Sequence, residues 1–425
     1  MEKISPHNLA EGMILAMDVK DQNGRLLAPS GQEVTEKLIR IFKIWGVGEL
    51  RVRSPEGGDM APESEPFVPE DIRRKAEEFV SYRFQYNDLN DPFVYELFRI
   101  SADRRARRML SRPEDTGPED MAAFHGEGGK VSDTGSSVGR RKKIDVENLI
   151  LKTLRLGTLP DIYYKTIAAI NNPETSLDDI ARIVSNDTTL SAKVLQLVNS
   201  SFYSLRQKVD TLTWALALIG TNQLMTIVSG VSAVSLFRNI PSRLINMASF
   251  WEHSIACGTA ARLLASYYPQ KTEAERFFVA GLLHDIGRLI LVQNLPDQYH
   301  GIFQRVRQEE MFLFTAEEEK FGADHSYVGA QLAVHWNLPE RLINMIRYHH
   351  FPSQEASLAE PAIINLADIL VNALEVGNSG EFFVPVIEPD VCRKLSLDKE
   401  MLQWVVNEID MQLTDIFEII YGASE

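Results

Sequence analysis

From Ile144 onward the apolar residues recur at helical spacing without interruption, and this pattern constrains the fold more than any other feature of the chain. It implies a mainly α domain over residues 144–378 and a helical extension over 379–425. Its early helices carry their own start signals. Ser176 and Asp179 form a capping pair for a helix through Ile180 and Ile183. Asp187 caps the next, whose inner face is Leu190, Val194, Leu197 and Val198, and Asp210 starts a third that Gly220 ends. The pair 176–184 and 188–199 has the rhythm of a helix-turn-helix. A recognition helix, however, must reach base edges and phosphates, and Lys193 is the one cation among the Leu, Val and Ala of 190–199. With 59 acidic against 44 basic residues and a net charge of -15, neither nucleic acid nor an anionic membrane is an expected partner.

The first 143 residues read differently. Residues 1–54 mix strand and turn signals, with Met13–Val19 and Arg25–Ala28 flanking Asn23-Gly24, a dipeptide suited to a tight hairpin. Thr35 then caps a helix with Leu38, Ile41, Phe42 and Trp45 on one face, before a short strand at Glu49–Val52. This predicts a small α+β module. Residues 55–110 are expected to be linking helices; the run Arg104-Arg105-Ala106-Arg107-Arg108 reads as a solvated face. Residues 111–143, rich in Gly, Ser and Asp and poor in large apolar residues, are expected to be a flexible linker. Two cysteines far apart, Cys257 and Cys392, indicate no disulfide framework. The N-terminus has no charged and apolar leader, and no apolar run approaches the roughly 20 residues of a spanning helix, so a cytoplasmic protein is expected.

The stretch Gly281-Leu-Leu-His284-Asp285-Ile-Gly287-Arg288 is where chemistry is expected. A Thr272/Glu275 capping box opens its helix and Gly287 can close it as a left-handed C-cap, which puts His284 and Asp285 in the last turn, where a cation is favoured. Four other segments bring polar residues onto apolar faces. His253 follows a Ser249/Glu252 capping box and is neighboured by Ala256, Cys257 and Ala260; His325 opens a helix after Gly322-Ala-Asp324; His349-His350 close the helix from Glu340; Asp368 lies in the apolar run Ala362–Val371. A carboxylate buried in such a helix costs several kcal/mol unless it is paired or bound to a metal. Imidazole and carboxylate ligands without thiolate suit iron, manganese, cobalt, nickel or zinc, and seven candidates allow one or two divalent ions. His253, His284, Asp285 and Asp368 are expected to hold one ion; His325, His349 and His350, with Asp285 as a bridge, a second. Such ions can activate water against a phosphoester. His300 and His335 fall outside this order as structural or surface residues.

The order His253, His284-Asp285, Asp368 resembles the HD phosphohydrolase superfamily, in which these positions ligate one metal, and His325, His349 and His350 resemble the extra ligands of its binuclear members. Leu159-Pro160, Asp187-x-x-Leu190, Val198-Asn199-Ser200, Ala217, Gly281–Arg288 and Trp336-x-Leu-Pro339 are more similar to the HDOD family, with Asp187-Thr188 where that family usually has Asp-Pro. Leu9-x-x-Gly12-Met13 and the Gly24–Gly31 hairpin resemble the small module that precedes some HD-GYP phosphodiesterase domains. After His349-His350 the chain reads Phe351-Pro352-Ser353 with no Gly-Tyr-Pro, and Arg288 stands where HD-GYP proteins usually have lysine. The resemblance therefore implies a bacterial signalling or regulatory protein on a metal-binding HDOD domain, with a signalling partner or a phosphoester ligand. The alternative it implies is an active metal-dependent phosphohydrolase in which Asp285 is catalytic.

Overall fold

The computed structural model describes residues 68–111, 144–156, 161–170, 172–203, 205, 207–237, 244–267, 274–355, 359–395 and 398–422, together with shorter pieces between residues 2 and 53. The chain divides into two compact units, Met1–Phe67 and Val68–Glu425. In the first, β1 (Glu2–Ile4) and β2 (Ile14–Leu15) both pair antiparallel with β5 (Leu50–Arg53), and β3 (Val19–Lys20) pairs antiparallel with β4 (Leu26–Ala28). Asn23-Gly24 lies outside the described residues, between β3 and β4. Thr35 accepts a hydrogen bond from Leu38 N–H at 3.3 Å, as its capping role requires. Leu15, Val19, Ala28, Leu38, Phe42, Leu50 and Val52 make a small core of this unit's own; most of the helix expected after Thr35 lies outside the described residues.

The second unit is helical. Helices α1 (Glu70–Arg83) and α2 (Pro92–Ser111) form an antiparallel pair at its start. Residues 112–143, where the linker is expected, lie outside the described residues. Then come α3 (Val146–Leu156), α4 (Asp161–Ile170), α5 (Leu177–Ser185), α6 (Thr188–Asn199), α7 (Leu212–Ile219) and α8 (Thr221–Phe237). The capping box of Ser176 and Asp179 is present, and Asp187 caps α6 through Leu190 N–H. The third cap falls one residue later than the sequence suggests: Thr211, not Asp210, accepts from Trp214 N–H, and Gly220 ends α7 at φ 86°.

The unit is centred on α9 (Met247–Tyr267), which packs against α10 (Ala274–Leu283) on one side and α16 (Ala359–Ala373) on another. Between α10 and α16 run α11 (Ile286–Asn294), α12 (Pro296–Glu309), α13 (Leu313–Phe321), α14 (His325–His335) and α15 (Glu340–Arg347); α17 (Pro389–Leu395) and α18 (Lys399–Ile420) finish the chain. Small residues permit the closest approach. A methyl group at Gly281 of α10 would lie 2.7 Å from the Cys257 carbonyl oxygen and from Gly258 Cα of α9, so the two backbones meet where only glycine fits.

Helices α1 and α2, expected only to link domains, are part of this unit. Val80, Phe84, Phe93, Val94 and Leu97 join its main core. Buried Arg83 donates from Nη2 to Asn372 O at 2.9 Å and Asn372 Oδ1 at 2.8 Å, and from Nε to Phe382 O at 2.9 Å. The helices are amphipathic with a charged outer face, and it is their narrow apolar stripe that docks.

Candidate metal centre

His284 and Asp285 are the elbow between α10, which stops at Leu283, and α11, which starts at Ile286 with Asp285 as its N-cap residue. The expectation of one helix closed by Gly287 is thereby corrected. Arg288 N–H already donates to Asp285 O at 2.9 Å, so helix resumes at once and Gly287 lies inside α11. Its missing side chain serves packing instead, because a Cβ there would fall 2.0 Å from the His325 carbonyl oxygen. Thr272 of the expected capping box is outside the described residues. On α9 the cap is Asn246, whose Oδ1 accepts from Ser249 N–H at 3.1 Å; Ser249 is thus already helical and His253 sits in the second turn. Asp324 caps α14 immediately before His325, His349 and His350 follow the C-cap Tyr348 of α15, and Asp368 is central in α16.

These elements bring all seven residues together in the interior, with His350 half-buried. His253 Nε2 lies 3.2 Å from Asp368 Oδ1 and 3.8 Å from Asp285 Oδ2, while His284 Nε2 lies 3.3 Å from Asp285 Oδ2 and 3.6 Å from Asp368 Oδ1. Nitrogen or oxygen ligands held about 2.1 Å from a tetrahedral ion are about 3.4 Å from one another. His253, His284 and Asp368 lie close enough together to share one cation, as do His284, Asp285 and His349.

The protonation pattern agrees. His284 Nδ1 is 2.6 Å from Gly281 O and His349 Nδ1 is 2.8 Å from Ile346 O. A carbonyl only accepts, so each Nδ1 carries a proton and each Nε2 is left to face the cluster. Both Nε2 atoms are buried; that of His349 has no hydrogen-bond partner, a state that costs free energy unless something else binds there. That of His284 faces the Asp285 and Asp368 carboxylates, at 3.3 and 3.6 Å. The charges of the metal-free cluster point the same way. Burial pulls the His284 imidazolium down, but Asp285 and Asp368 beside it outweigh that and raise it to about 10. Burial would raise Asp285 and Asp368; Arg288, His284 and His325 hold the first well below the usual carboxylate range, and His253 and His284 do so for the second. Two buried carboxylates thus demand positive charge, and a divalent ion supplies it by displacing a proton. The His/Asp cluster is able to hold a metal.

The remaining three histidines meet a different environment. His325 donates from Nδ1 to Glu317 Oε2 at 2.5 Å and approaches Asp285 Oδ1 at 2.9 Å and His350 Nε2 at 2.8 Å through Nε2. Burial and Arg288 lower the His325 imidazolium, yet Glu317 and Asp285 outweigh them and raise it to about 9. Arg288, also buried, places Nη1 3.0 Å from Asp285 Oδ2, 2.7 Å from Ser379 Oγ and 2.8 Å from Ser379 O, with Nη2 3.0 Å from His325 Nε2. Burial and the neighbouring imidazoles hold His349 down at about 3 and keep His350 well below its ordinary value.

Four residues of the site escaped the sequence reading. Cys257 Sγ stands 3.5 Å from His253 Nε2; burial, Asp368 and Asp285 push its thiol up, which keeps it protonated. Glu317 orients His325 and also accepts from the Tyr299 hydroxyl, but in the sequence it opens the run Glu317-Glu318-Glu319 and looks like its solvent-facing neighbours. Ser379 holds Arg288, and Asn365 Nδ2 holds the His349 carbonyl at 2.7 Å. His300 and His335 are exposed, as expected.

Comparison with known proteins places this geometry. Residues 156–352 match the HDOD domain model; His253, His284, Asp285, His325, His349 and His350 lie within the match and Asp368 beyond it. An uncharacterised protein of Treponema pallidum (strain Nichols) is 25% identical over 199 residues, which are 46% of this chain and 38% of that protein, so the chain spans well under half of the curated relative it matches. An HDOD domain protein with unknown function from Geobacter sulfurreducens is 26% identical, with a TM-score of 0.50 over 65% of this chain and 98% of that one. A protein of Shewanella amazonensis SB2B, provisionally named a phosphohydrolase, shares the fold at 21% identity and a TM-score of 0.50, over 65% of this chain and 98% of that one. The matched segment, which builds the elbow and carries six of the seven clustered residues, is thus similar to the HDOD domain.

Proposed function

We propose that the chain is a bacterial, cytoplasmic regulatory protein whose HDOD domain holds one divalent transition-metal ion through His253, His284, Asp285 and Asp368. The observation that carries this reading is the buried Nε2 of His284, 3.3 Å from Asp285 Oδ2 and 3.6 Å from Asp368 Oδ1, facing two carboxylates that need positive charge. Such an ion polarises a phosphoryl oxygen presented to it. His349 Nε2 completes the inner wall, since His284 Nε2, an Asp285 oxygen and a His349 nitrogen are mutually within ligand-sharing reach.

Support for a single ion comes from Arg288. Its guanidinium contacts Asp285 and His325 together. This fixed cation stands where a second metal bridged by Asp285 would have to bind, and binuclear activation of water is disfavoured there. Regulation by ligand or partner binding is the reading this supports best. A second reading, metal-dependent phosphohydrolysis with Asp285 as the catalytic carboxylate, is favoured by one observation: His253 lines an open cleft through which a substrate could enter. Manganese-loaded protein and bis(p-nitrophenyl) phosphate decide between them. The regulatory reading expects no p-nitrophenolate release above the His284→Ala background; turnover that disappears in Asp285→Ala sinks it in favour of the enzyme.

A further inference from the structure

Cys257, fully buried, brings a thiol into the cluster where a ligand would stand. It follows His253 by four residues on α9, so the two side chains leave the same face of that helix. Its main chain is pinned against α10. Gly258 and Gly281 let the two helices touch, with a Cβ at Gly281 falling 2.7 Å from the Cys257 carbonyl oxygen, and His284 Nδ1 lies 2.6 Å from the carbonyl oxygen of the same Gly281. The sulfur and the His284 ring are thereby held in fixed relation to one another. One ligand atom each from His253, Cys257, His284 and Asp368 lies within 4.8 Å of every other. Sγ is 3.5 Å from His253 Nε2, and a sulfur about 2.3 Å and a nitrogen about 2.1 Å from a tetrahedral zinc ion are about 3.6 Å apart. A buried cysteine usually serves as a small apolar side chain. This one turns its sulfur toward two imidazoles and a carboxylate instead; a further contact, to Ala367 O at 4.0 Å, is weak at that length.

We propose that Cys257 Sγ is a further ligand of the ion assigned to His253, His284, Asp285 and Asp368, and that this sulfur makes the site favour zinc over manganese. The proposal deepens the metal reading given above, on which it rests. Binding exchanges the thiol proton for the ion: the S–H bond breaks, a bond from sulfur to the metal forms, and the proton leaves for solvent. Thiolate is a soft donor that suits zinc, whereas manganese belongs with carboxylate, carbonyl and water. The sequence pattern suggests ligands without thiolate because a cysteine between Ala256 and Gly258 reads as one more small residue on a packing face. The fold adds what spacing does not show, the turn of α9 that carries this sulfur to the His253 ring.

Cobalt(II), loaded into the full chain after chelation, tests it, because thiolate bound to cobalt gives a charge-transfer band in the near ultraviolet that nitrogen and oxygen ligands do not. The chain has two cysteines, Cys257 and Cys392. The band is expected in wild type and in Cys392→Ser, and should vanish in Cys257→Ser while the visible bands of bound cobalt remain. Since Cys392→Ser leaves a single cysteine, its spectrum decides the matter even where a Cys257 variant fails to fold. Competition with a chromophoric chelator gives a second readout: Cys257→Ala should weaken zinc by at least the roughly tenfold that losing a ligand's hydrogen-bond partner costs, and manganese much less. Cobalt held by wild type without the charge-transfer band overturns the proposal and leaves the metal reading standing. A band lost in Cys392→Ser, or zinc affinity unchanged in Cys257→Ala, does the same. Wild type that binds neither cobalt nor zinc ends the metal reading and this proposal together.

Discussion

Each residue of the centre is held by a contact that a sequence shows only in part. His253, His284, His325, His349, His350 and Asp368 were legible because a polar group on an apolar helical face is expensive and therefore conspicuous. Glu317 was not, since glutamate is an ordinary surface residue and only the fold shows that it is buried here, and Arg288 was legible as part of its motif but not as a buried partner of Asp285 and His325. Gly287 was legible as special but for the wrong reason. Its role is close packing of α11 on α14, so Gly287→Ala should cost about 3 kcal/mol or more, at the upper end of overpacking penalties. Urea denaturation measures it; a variant within about 0.5 kcal/mol of wild type would show that the two helices separate easily. Glu317→Ala should leave the His325 ring without its Nδ1 acceptor, and the expected result is a folded protein with lowered metal affinity, read by competition with a chromophoric chelator. Unchanged affinity would remove His325 from any influence on the ion.

At the scale of elements, caps were the most readable signals. Ser176, Asp179 and Asp187 act within three or four residues of themselves, so tertiary structure cannot displace them. The Ser249 capping box failed because Asn246, one turn earlier, offers an equally good cap and lets α9 extend backwards. The elbow at His284-Asp285 was hidden for a different reason: an apolar helix that ends and restarts after two residues has almost the same hydrophobic pattern as one that continues. Helices α1 and α2 read as linkers because their outer faces are heavily charged, and the apolar residues on their inner faces suffice for docking. Arg83 is the test of that docking. Arg83→Met removes three charge-assisted hydrogen bonds to Asn372 and Phe382 and should destabilise the protein by about 3 kcal/mol in chemical denaturation. A loss below about 1 kcal/mol would mean that the helices rest on the unit without stabilising it.

For the whole molecule, the mainly α class with a small α+β module was readable from the change of pattern near Ile144, and the clustering of seven residues spread from 253 to 368 was readable as a set, although no local signal could show which contacts each would make. Among the described residues no single helix is long and apolar enough to cross a membrane. Limited proteolysis should cut between Ser111 and Lys143, where composition is least able to fold, and α1–α2 should co-elute with the fragment beginning near Ile144 because their apolar stripe is part of its core. Separation of the two pieces on a sizing column would contradict the packing described for α1 and α2. Chelation should lower the melting temperature, since an ion bound only by the native state at a hundredfold excess over its Kd contributes about 2.7 kcal/mol. The most direct measurement is elemental analysis of wild type and of His284→Ala and Asp285→Ala, each purified without an affinity tag and dialysed against the same trace-metal buffer. One transition-metal ion per chain in wild type and little or none in either variant is the result predicted here; metal-free wild type that takes up no added manganese, iron or zinc would contradict a metal centre altogether.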